Sequence, residues 1–581
     1  MRVSRTFDAG GPPGGFGAMP AWPRAAWAAL PSGPLVRLLA AIAIGLTLIA
    51  PLAVTRIPLL VDYPNHLARM HVLATGAASP ALRAMFAIDW AFIPNMAMDV
   101  VVPLLVQVMA LDVAGRVFIA LAILLPPLGV VALHRAWFGT RVWWPWIAAL
   151  TGVNGFVLFG FLNYVVGVGL ALLGAAWHAR RGQRAGWGGG VLGGVPGGVL
   201  GGALWGTLCL ASHIAAFGLL VLLMLSTVAG QLGAGQIRRG ALERPLASMV
   251  AAAVLPLVLY VTLGPAQTYA SGGVLGTAIG QIMRSGLLSD PVARAAWTLA
   301  PFAGASPVLG LVTAAVTILP VVWCAARRRL TVAPHLVLAF VALAAAFALL
   351  PAQLADNGMV YQRLALPLVL VTIAGVRPRL EGWLAHSLAA CCVALIGIRG
   401  ATLAETWRAQ RPLLRDVEQV VAAIPPGARV LAVRDGGDPW HVDPDEAAPR
   451  RVLRATIAYQ HLPALVTLER DAFWPMVFST PGKQPVRLRA EYDRQAQSDG
   501  YLPLTSQLGP ALDIAAPAAR CGFDPLRLPC QMWSWPDRYD FVLRLNAKDA
   551  ASPDPVRLEP VANAGWAALY KVRPAATPAP R

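Results

Sequence analysis

The chain has 581 residues, of which 57% are apolar and only 13% are charged. This balance excludes an ordinary soluble protein and indicates an integral membrane protein. The formal net charge of +18 comes almost wholly from arginine, which is grouped in short clusters between apolar runs. Such clusters are typical of cytoplasmic turns in membrane proteins rather than of a nucleic-acid interface, so no nucleic-acid partner is expected.

The N-terminal segment, residues 1–34, is rich in glycine and proline and carries scattered arginines. The apolar run behind it, at about 35–55, is too long for the hydrophobic core of a signal peptide. We therefore predict a disordered cytoplasmic N-terminus followed by an uncleaved first span.

Apolar segments suitable for spans continue up to residue 400, although several are shorter than a full crossing. After the first, they lie at about 98–111, 117–134, 143–179, 190–207, 211–230, 246–264, 303–325, 333–351, 362–376 and 383–400. Polar residues interrupt the stretch 98–179, which therefore does not resolve into a unique number of crossings. The sequence predicts a transmembrane domain over 35–404, with 10 to 12 spans and a first external loop at 56–97.

The first external loop contains a polar cluster where the chain should leave the bilayer. Pro64 is followed by apolar residues at helical spacing, which predicts an amphipathic helix along the membrane interface, with Asp62 at or before its N-terminus. Acidic residues are rare up to residue 404, so any acid chemistry of the membrane part must use one of a short set. That set is Asp8, Asp62, Asp89, Asp99, Asp112, Glu243, Asp290, Asp356 and Glu381.

Charged residues become dense after about residue 405, which predicts a soluble domain over 405–581. A helical period at 413–421 and strand candidates at 428–433, 452–458, 539–545 and 566–572 indicate a small α/β fold. Cys521 and Cys530 predict a small disulfide loop, which needs an oxidising compartment. The domain is therefore expected to be periplasmic. The aromatic residues of this domain could form a sugar-stacking surface, although a role in the core is favoured. They are Trp533, Trp535, His461 and those of the Asp471–Trp474 stretch.

This layout resembles the C-type membrane glycosyltransferases (GT-C fold), in particular the bacterial members that take sugar from a polyprenyl-phosphate donor. The resemblance lies in the order of an acidic first external loop, many spans and an external C-terminal α/β domain, and it covers nearly the whole chain. Its one motif is Asp62 in Val61-Asp62-Tyr63-Pro64-Asn65-His66. It implies a lipid-linked sugar donor, an acceptor that is a glycan, a lipid or a protein, and transfer at the extracytoplasmic face of the bacterial inner membrane. It also implies that an acid in the first loop acts as catalytic base or supports a metal.

One carboxylate suffices for inverting transfer, because the acceptor proton needs a base while the lipid phosphate is already a competent leaving group. Asp62 is the predicted base. The structural alternative is that Asp62 caps the following helix, because Asp before a first-turn proline stabilises a helix by about 1 kcal/mol. The two roles are compatible. No Asp-x-Asp pair lies in a second external loop, so no metal site is predicted, although a divalent metal is left open.

Substrate-binding candidates lie near Asp62 in the same loop. His66 and Arg69 follow it by four and seven positions, on the same helix face, and Arg69 could meet a donor phosphate. Asp89 is a candidate second acid. The structural alternatives are interfacial snorkelling of His66 and Arg69 and an interfacial anchor at Asp89.

A second external polar group contains Asp356 and Arg363. A membrane-adjacent arginine such as Arg363 resembles the late-loop position that contacts the lipid phosphate in this superfamily, and the alternative is a weak loop ion pair. Other polar residues at membrane depth are expected mainly to make bonds between helices. These are Asp99, Asn154, Asn163 and His213.

Two other classes of protein compete with the transferase. Polar residues at depth and glycine-rich helices also suit a membrane transporter or lipid flippase, but no internal repeat is visible and a large external domain is superfluous for transport. The other class is a non-catalytic subunit of an envelope polysaccharide assembly system, in which Asp62 is only a helix cap.

Overall fold

Apolar helices dominate the part of the chain before the C-terminal domain. The computed structural model describes residues 33–183, 195–237, 242–265, 291–354, 358–437, 451–452, 456–496, 500–518, 528–547 and 549–573. In these ranges, seven helices are long and apolar enough to cross a membrane, and four shorter apolar helices accompany them. The fold is that of a polytopic helical membrane protein, as predicted. The count of 10 to 12 crossings stays a prediction.

The helices of this part carry many exposed leucine and valine side chains, as expected for surfaces that face lipid. Their bounds are Pro34–Ile49, Ala97–Val106, Leu111–Phe138, Gly155–Phe159, Leu162–Gln183, Val195–Ser212, Ile214–Gly233, Glu243–Leu263, Pro291–Trp297, Pro307–Ala326, Pro334–Leu349, Ala365–Gly375 and Gly382–Val421.

The ambiguous stretch 98–179 contains two long helices and three shorter elements. Ala97–Val106 is too short to cross a bilayer, whereas Leu111–Phe138 has 28 residues. Between Leu111–Phe138 and Leu162–Gln183 the chain forms a 3₁₀ segment, Trp144–Thr151, and one short helix, Gly155–Phe159. The break has a local cause: Asn154 leaves helical geometry and its side chain accepts from the amides of the next helix.

The predicted amphipathic helix of the first loop is present at Tyr63–Thr75, and we call it the first-loop helix. Nine of its thirteen residues are buried. The first-loop helix packs between the membrane helices on one side and the C-terminal domain on the other, so both of its faces are covered. Its alignment along the membrane interface stays a prediction.

The C-terminal domain contains the α/β unit that the sequence predicts. Its sheet has four strands in the order Val430–Arg434, Phe541–Leu545, Ala567–Val572 and Leu558–Asn563. The first pair is parallel and the other two pairs are antiparallel. The strand at 558–563 was not predicted, because its exposed face leaves it weakly apolar.

The domain is joined to the first loop by several contacts. Phe86–Ile88 of the loop pairs with Val486–Leu488 of the domain in a two-stranded antiparallel sheet. Arg56 forms ion pairs with Glu418 (2.5 Å) and Glu469 (2.6 Å). In addition, Gly382–Val421 is one helix of 40 residues that passes through the predicted domain boundary at residue 404. The first loop is therefore held against the C-terminal domain.

Smaller elements complete the described chain. Pro80–Met85 is a short helix in the first loop, and Leu330–Val332 pairs with Val376–Pro378 in a two-stranded antiparallel sheet at the ends of membrane helices. The C-terminal domain adds the helices Leu465–Arg470 and Ala490–Asp493 and the paired short strands Arg451–Val452 and Thr456–Ile457.

Candidate functional site at the junction of the first loop and the C-terminal domain

Asp62 lies at the N-cap position of the first-loop helix. Its backbone N–H donates to the carbonyl of Phe159 (3.0 Å), and its carbonyl accepts from His66 N–H (3.0 Å). Its side chain makes no capping hydrogen bond to this helix within the described residues. The main chain of Asp62 is therefore fixed from both sides, while its carboxylate is directed to something other than the helix end.

A glycine turn makes room for the Asp62 backbone. Gly160 ends the short helix Gly155–Phe159 with φ of +89°, a conformation that favours glycine. A Cβ atom at this position would lie 2.9 Å from the Asp62 Cβ and 3.0 Å from its backbone nitrogen. The break in the membrane helices at 144–160 thus serves to seat Asp62.

The C-terminal domain places His461 against the Asp62 carboxylate. His461 Nε2 lies 3.4 Å from Asp62 Oδ1, and the two side chains are 8% and 20% exposed. Burial lowers the pKa of His461 to about 3, so the imidazole is neutral at physiological pH. The contact is therefore one between a neutral ring and a carboxylate, not an ion pair.

Asn65 determines which nitrogen of His461 carries the proton. Its Oδ1 accepts from the backbone N–H of Phe478 (2.9 Å), and its Nδ2 donates to the carbonyl of Met476 (2.7 Å). These two partners fix the orientation of the amide, so the same Nδ2, 3.0 Å from His461 Nδ1, must donate to it. Because Nδ1 accepts, the proton of the neutral ring is on Nε2, which faces Asp62.

His66, a predicted substrate-binding residue, lies close to these groups but is 92% buried. Its ring packs on Phe478 with centroids 5.2 Å apart, and Phe478 also contacts His461 (5.1 Å). Its Nδ1 has no hydrogen-bond partner among the described residues. Burial lowers the pKa of His66 well below its ordinary value, and the charge of Arg69 acts in the same direction, so this ring is also neutral.

Arg69 is fully buried and forms a bidentate ion pair with Asp99. Its Nε and Nη2 lie 2.6 Å and 3.0 Å from the two carboxylate oxygens. The charge of Arg69 is thereby largely neutralised inside the protein. This pair joins the first-loop helix to the helix Ala97–Val106, and it gives Asp99 the structural role that the sequence favoured.

Arg363 lies on the other side of the Gly160 turn. Its guanidinium carbon is 4.8 Å from the centre of the Phe161 ring, and its Nη1 donates to the carbonyl of Gly358 (2.9 Å). Its Nε is buried and has no hydrogen-bond partner within the described ranges. The charges of Arg363 and Asp62 are close enough to interact. Arg363 is therefore a cation next to the predicted base, and no carboxylate of the described chain forms an ion pair with it.

Three of the predicted residues lie elsewhere or outside the described chain. Asp89 is 52% exposed and forms an ion pair with Arg487 (2.7 Å). This ion pair lies beside the two-stranded sheet that joins the first loop to the C-terminal domain. Asp356 and Cys521 lie outside the described residues. Cys530 is disulfide-bonded, and Cys209, Cys324, Cys391 and Cys392 are free.

The polar residues at membrane depth make structural bonds, as the sequence favoured. Asn154 caps the helix Gly155–Phe159, and His213 caps the helix Ile214–Gly233 through its Nδ1. Asn163 accepts from Met98 N–H (2.8 Å) and donates to the Asn95 carbonyl (2.6 Å). No group of three or more His, Cys, Asp or Glu that could hold a metal is present in the described part of the chain.

His461 and Asn65 are the members of the site that sequence reasoning missed. His461 is predicted only as a core or sugar-stacking residue, and Asn65 is named only as part of the string around Asp62. The two are 396 positions apart, and no motif links them. The one available signal was the spacing of Asp62 and Asn65, which puts both on one turn of a helix. Trp474 and Trp535 are fully buried, which agrees with a role in the core.

The fold and this site together define a polytopic membrane protein of the GT-C fold, as the resemblance in the sequence predicted. The chain is similar to the crystal structure of ArnT from Cupriavidus metallidurans bound to undecaprenyl phosphate, with a TM-score of 0.50 and 12% sequence identity, covering 93% of this chain and 98% of that one. The apo structure of the same ArnT matches with a TM-score of 0.46 at 12% identity. No protein-family model and no curated protein sequence matches the chain. At this identity the likeness establishes the fold.

Proposed function

We propose that this protein is an inverting glycosyltransferase that moves a sugar from a polyprenyl-phosphate donor to an acceptor at the extracytoplasmic face of the bacterial inner membrane. The observation that carries the proposal is the position of Asp62 at the junction. Two hydrogen bonds hold its main chain, and its side chain is still 20% exposed. The shared fold with an ArnT that binds undecaprenyl phosphate supports a donor of this lipid class. Under this proposal the C-terminal domain is periplasmic.

Asp62 acts as the general base in the proposed reaction. An acceptor hydroxyl attacks the anomeric carbon, its proton passes to the Asp62 carboxylate, and the bond between the sugar and the phosphate oxygen breaks. The phosphate leaves on its lipid with the electron pair of that bond. Attack from the face opposite the phosphate inverts the anomeric centre.

Arg363 is the proposed contact for the donor phosphate. It lies near Asp62, beside the Phe161 ring, and its buried Nε has no partner among the described residues. An arginine with unused donors suits a phosphate, because the planar guanidinium can make paired hydrogen bonds to it. Arg69 is less suited, since the buried Asp99 already takes up two of its donors. No step of this scheme depends on a metal.

The rival classes draw less support from the geometry. A transporter or flippase does not require a carboxylate at a junction with a globular domain. A helix cap in an assembly subunit would show the Asp62 side chain accepting from the first turn of its helix, and this side-chain cap is not found within the described residues.

Lipid analysis of a deletion strain tests the proposed function. Membranes of the strain should accumulate a polyprenyl-phosphate sugar and lack one glycan modification, and the wild-type gene should reverse both changes while an empty vector should not. The reason is that a donor without its transferase is still synthesised but no longer consumed. Unchanged lipid-linked sugars in the deletion strain would contradict a transferase and favour the transporter or assembly class.

A further inference from the structure

We propose that His461 is a positioning residue for Asp62. Its Nε2–H donates to Oδ1 of the carboxylate, so that the second oxygen, Oδ2, is presented to the acceptor hydroxyl. This inference rests on the proposed function and adds to it that the C-terminal domain completes the active site of the membrane part.

The first step of the argument is the chain of hydrogen bonds that ends on Asp62. Phe478 N–H and the Met476 carbonyl orient the Asn65 amide, Asn65 donates to His461 Nδ1, and the remaining proton on Nε2 faces the carboxylate. Asn65, His461 and Met476 are buried, and the Asp62 side chain is only 20% exposed. The tautomer is thus an outcome of packing and does not depend on solvent.

The second step is that the donor must be neutral and rigid. The ring of His461 is held on two sides by aromatic neighbours, Phe478 at 5.1 Å and Trp474 at 6.0 Å between centroids. A neutral N–H orients a carboxylate without taking its charge, whereas a protonated ring would form an ion pair that lowers the basicity needed for catalysis. The 3.4 Å separation is long for a hydrogen bond, and such contacts commonly tighten when substrate binds.

The third step is that the C-terminal domain supplies His461 to a carboxylate of the first loop. His461 precedes a helical turn of the C-terminal domain, while Asp62 and Asn65 belong to the first loop. The same surface of contact includes His71 Nε2, 2.7 Å from Asp471 Oδ1, and the Ser79 hydroxyl, which donates to Asp471 Oδ2 (2.7 Å). Docking of the domain on the first loop therefore places the histidine and brings the carboxylate into its working orientation.

Two nearly isosteric substitutions of His461 test this role. His461→Gln keeps an N–H donor at about the position of Nε2, whereas His461→Met has a similar length and lacks the donor. With the lipid that accumulates in the deletion strain as donor and membranes of that strain as acceptor, we expect Gln to retain kcat within a few-fold. We expect Met to lower kcat on the order of a hundredfold, with little change in the KM for donor, because a misplaced reacting group costs about this much.

The same variants in an Asp62→Asn background separate positioning from a structural role. Because His461 is proposed to act through the carboxylate, His461→Met should cause no further loss of the residual rate once Asp62 is Asn. Equal kcat for Met, Gln and the wild type would overturn the positioning role, as would a full additional loss in the Asp62→Asn background. If Asp62→Asn itself retained full activity, the proposed base would fail instead.

A second inference comes from the other end of the helices. The helix Ala365–Gly375 begins beside Arg363 and ends at the two-stranded sheet of Leu330–Val332 and Val376–Pro378. Next to this sheet is an opening with a cavity volume of about 490 Å³, and Trp143 and Trp144 contribute to its lining. Its size is in the range of small-molecule sites.

The opening carries unpaired positive charge. Arg377 and Arg379 both line it, two positions apart on an extended chain, so their side chains leave the same side of the strand. Neither guanidinium makes a hydrogen bond or an ion pair within the described residues, and neither does the Glu381 carboxylate at the rim. Arg379 N–H donates to the Arg329 carbonyl (2.9 Å), which continues the pairing of the two strands and fixes the backbone of Arg379.

We infer that this opening binds the phosphodiester headgroup of an anionic phospholipid. Trp383, next to the opening in the chain, is 74% exposed, and tryptophan at a helix end is typical of the headgroup level of a bilayer. Basic pockets between helices at that level suit anionic headgroups, because the phosphate pairs with arginine while the partly exposed Trp143 ring packs on the glycerol and upper acyl chains. A free phosphate shares only the first of these contacts.

Lipid titration of the purified protein tests the inference. Thermal unfolding should be shifted upward by phosphatidylglycerol but not by phosphatidylcholine, and inorganic phosphate should have little effect at the same concentration. The double variant R377Q/R379Q should weaken the response to phosphatidylglycerol about tenfold or more, because both charges that pair with the headgroup phosphate are lost. The matched control R327Q/R328Q removes two charges of the same end that do not line the opening.

Equal responses of the two double variants would overturn the inference, because the effect would then reflect charge alone. Stabilisation by inorganic phosphate as strong as that by phosphatidylglycerol would overturn the assignment to a lipid. The variants lie far from Asp62, so this test is independent of the proposed transferase activity.

Discussion

Asp62→Asn is expected to abolish sugar transfer while the protein folds normally. The amide cannot accept the acceptor proton, and a general base typically contributes a factor of about 10² to 10⁴ in rate. Folding should be preserved because both backbone hydrogen bonds of Asp62 remain and the amide oxygen can still accept from His461. The measurement is the level of the lipid-linked donor in a deletion strain that expresses the variant, together with the amount of folded protein in its membranes.

Asp89→Asn is the matched control for this experiment. Asp89 belongs to the same loop, but it is half exposed and its partner is Arg487. This exposed pair contributes at most about 1 kcal/mol, so the control should leave transfer near the wild-type level. A wild-type lipid profile with Asp62→Asn would contradict the proposed base, and equal losses in the two variants would point to a general fault of the loop.

The largest effect on stability is expected for Asp99→Asn. This change leaves the guanidinium of Arg69 buried without a charged partner, and breaking a buried pair in this way costs about 3–5 kcal/mol. The measurement is thermal unfolding of the purified protein in one detergent. The matched control is Asp112→Asn, whose partner Arg116 is about a quarter exposed on a helix surface, and which should cost less than about 1 kcal/mol.

Replacing both partners distinguishes a structural Arg69 from one that binds the donor. The double variant R69M/D99L removes both charges and should recover much of the stability lost in Asp99→Asn, because apolar residues of similar size can substitute for a buried ion pair. If Arg69 is only structural, the double variant retains its KM for donor. A stable double variant with a greatly raised KM would instead assign Arg69 to the donor phosphate. An Asp99→Asn protein as stable as the wild type would contradict the stability prediction.

Local patterns in the sequence predicted much of the fold. The helix at 63–75 follows from Pro64 and the helical spacing of apolar residues behind it, and the strands at 430–434, 541–545 and 567–572 follow from short apolar runs between turns. The strand at 558–563 was not predicted, because its exposed face leaves it weakly apolar. The break at 144–160 falls within the stretch 98–179 that polar residues were predicted to interrupt, and Asn154 is its local cause.

The candidate site divides in the same way. By itself, the sequence determined that the chain is a membrane protein with a C-terminal α/β domain and that Asp62 is a rare acid in its first loop, because composition and short-range period carry that information. Only the tertiary structure decided the partners: His461 for Asp62, Asp99 for Arg69 and Arg487 for Asp89. These contacts join residues 30 to about 400 positions apart, and such pairings come from the packing of whole elements, which no spacing within one segment can encode.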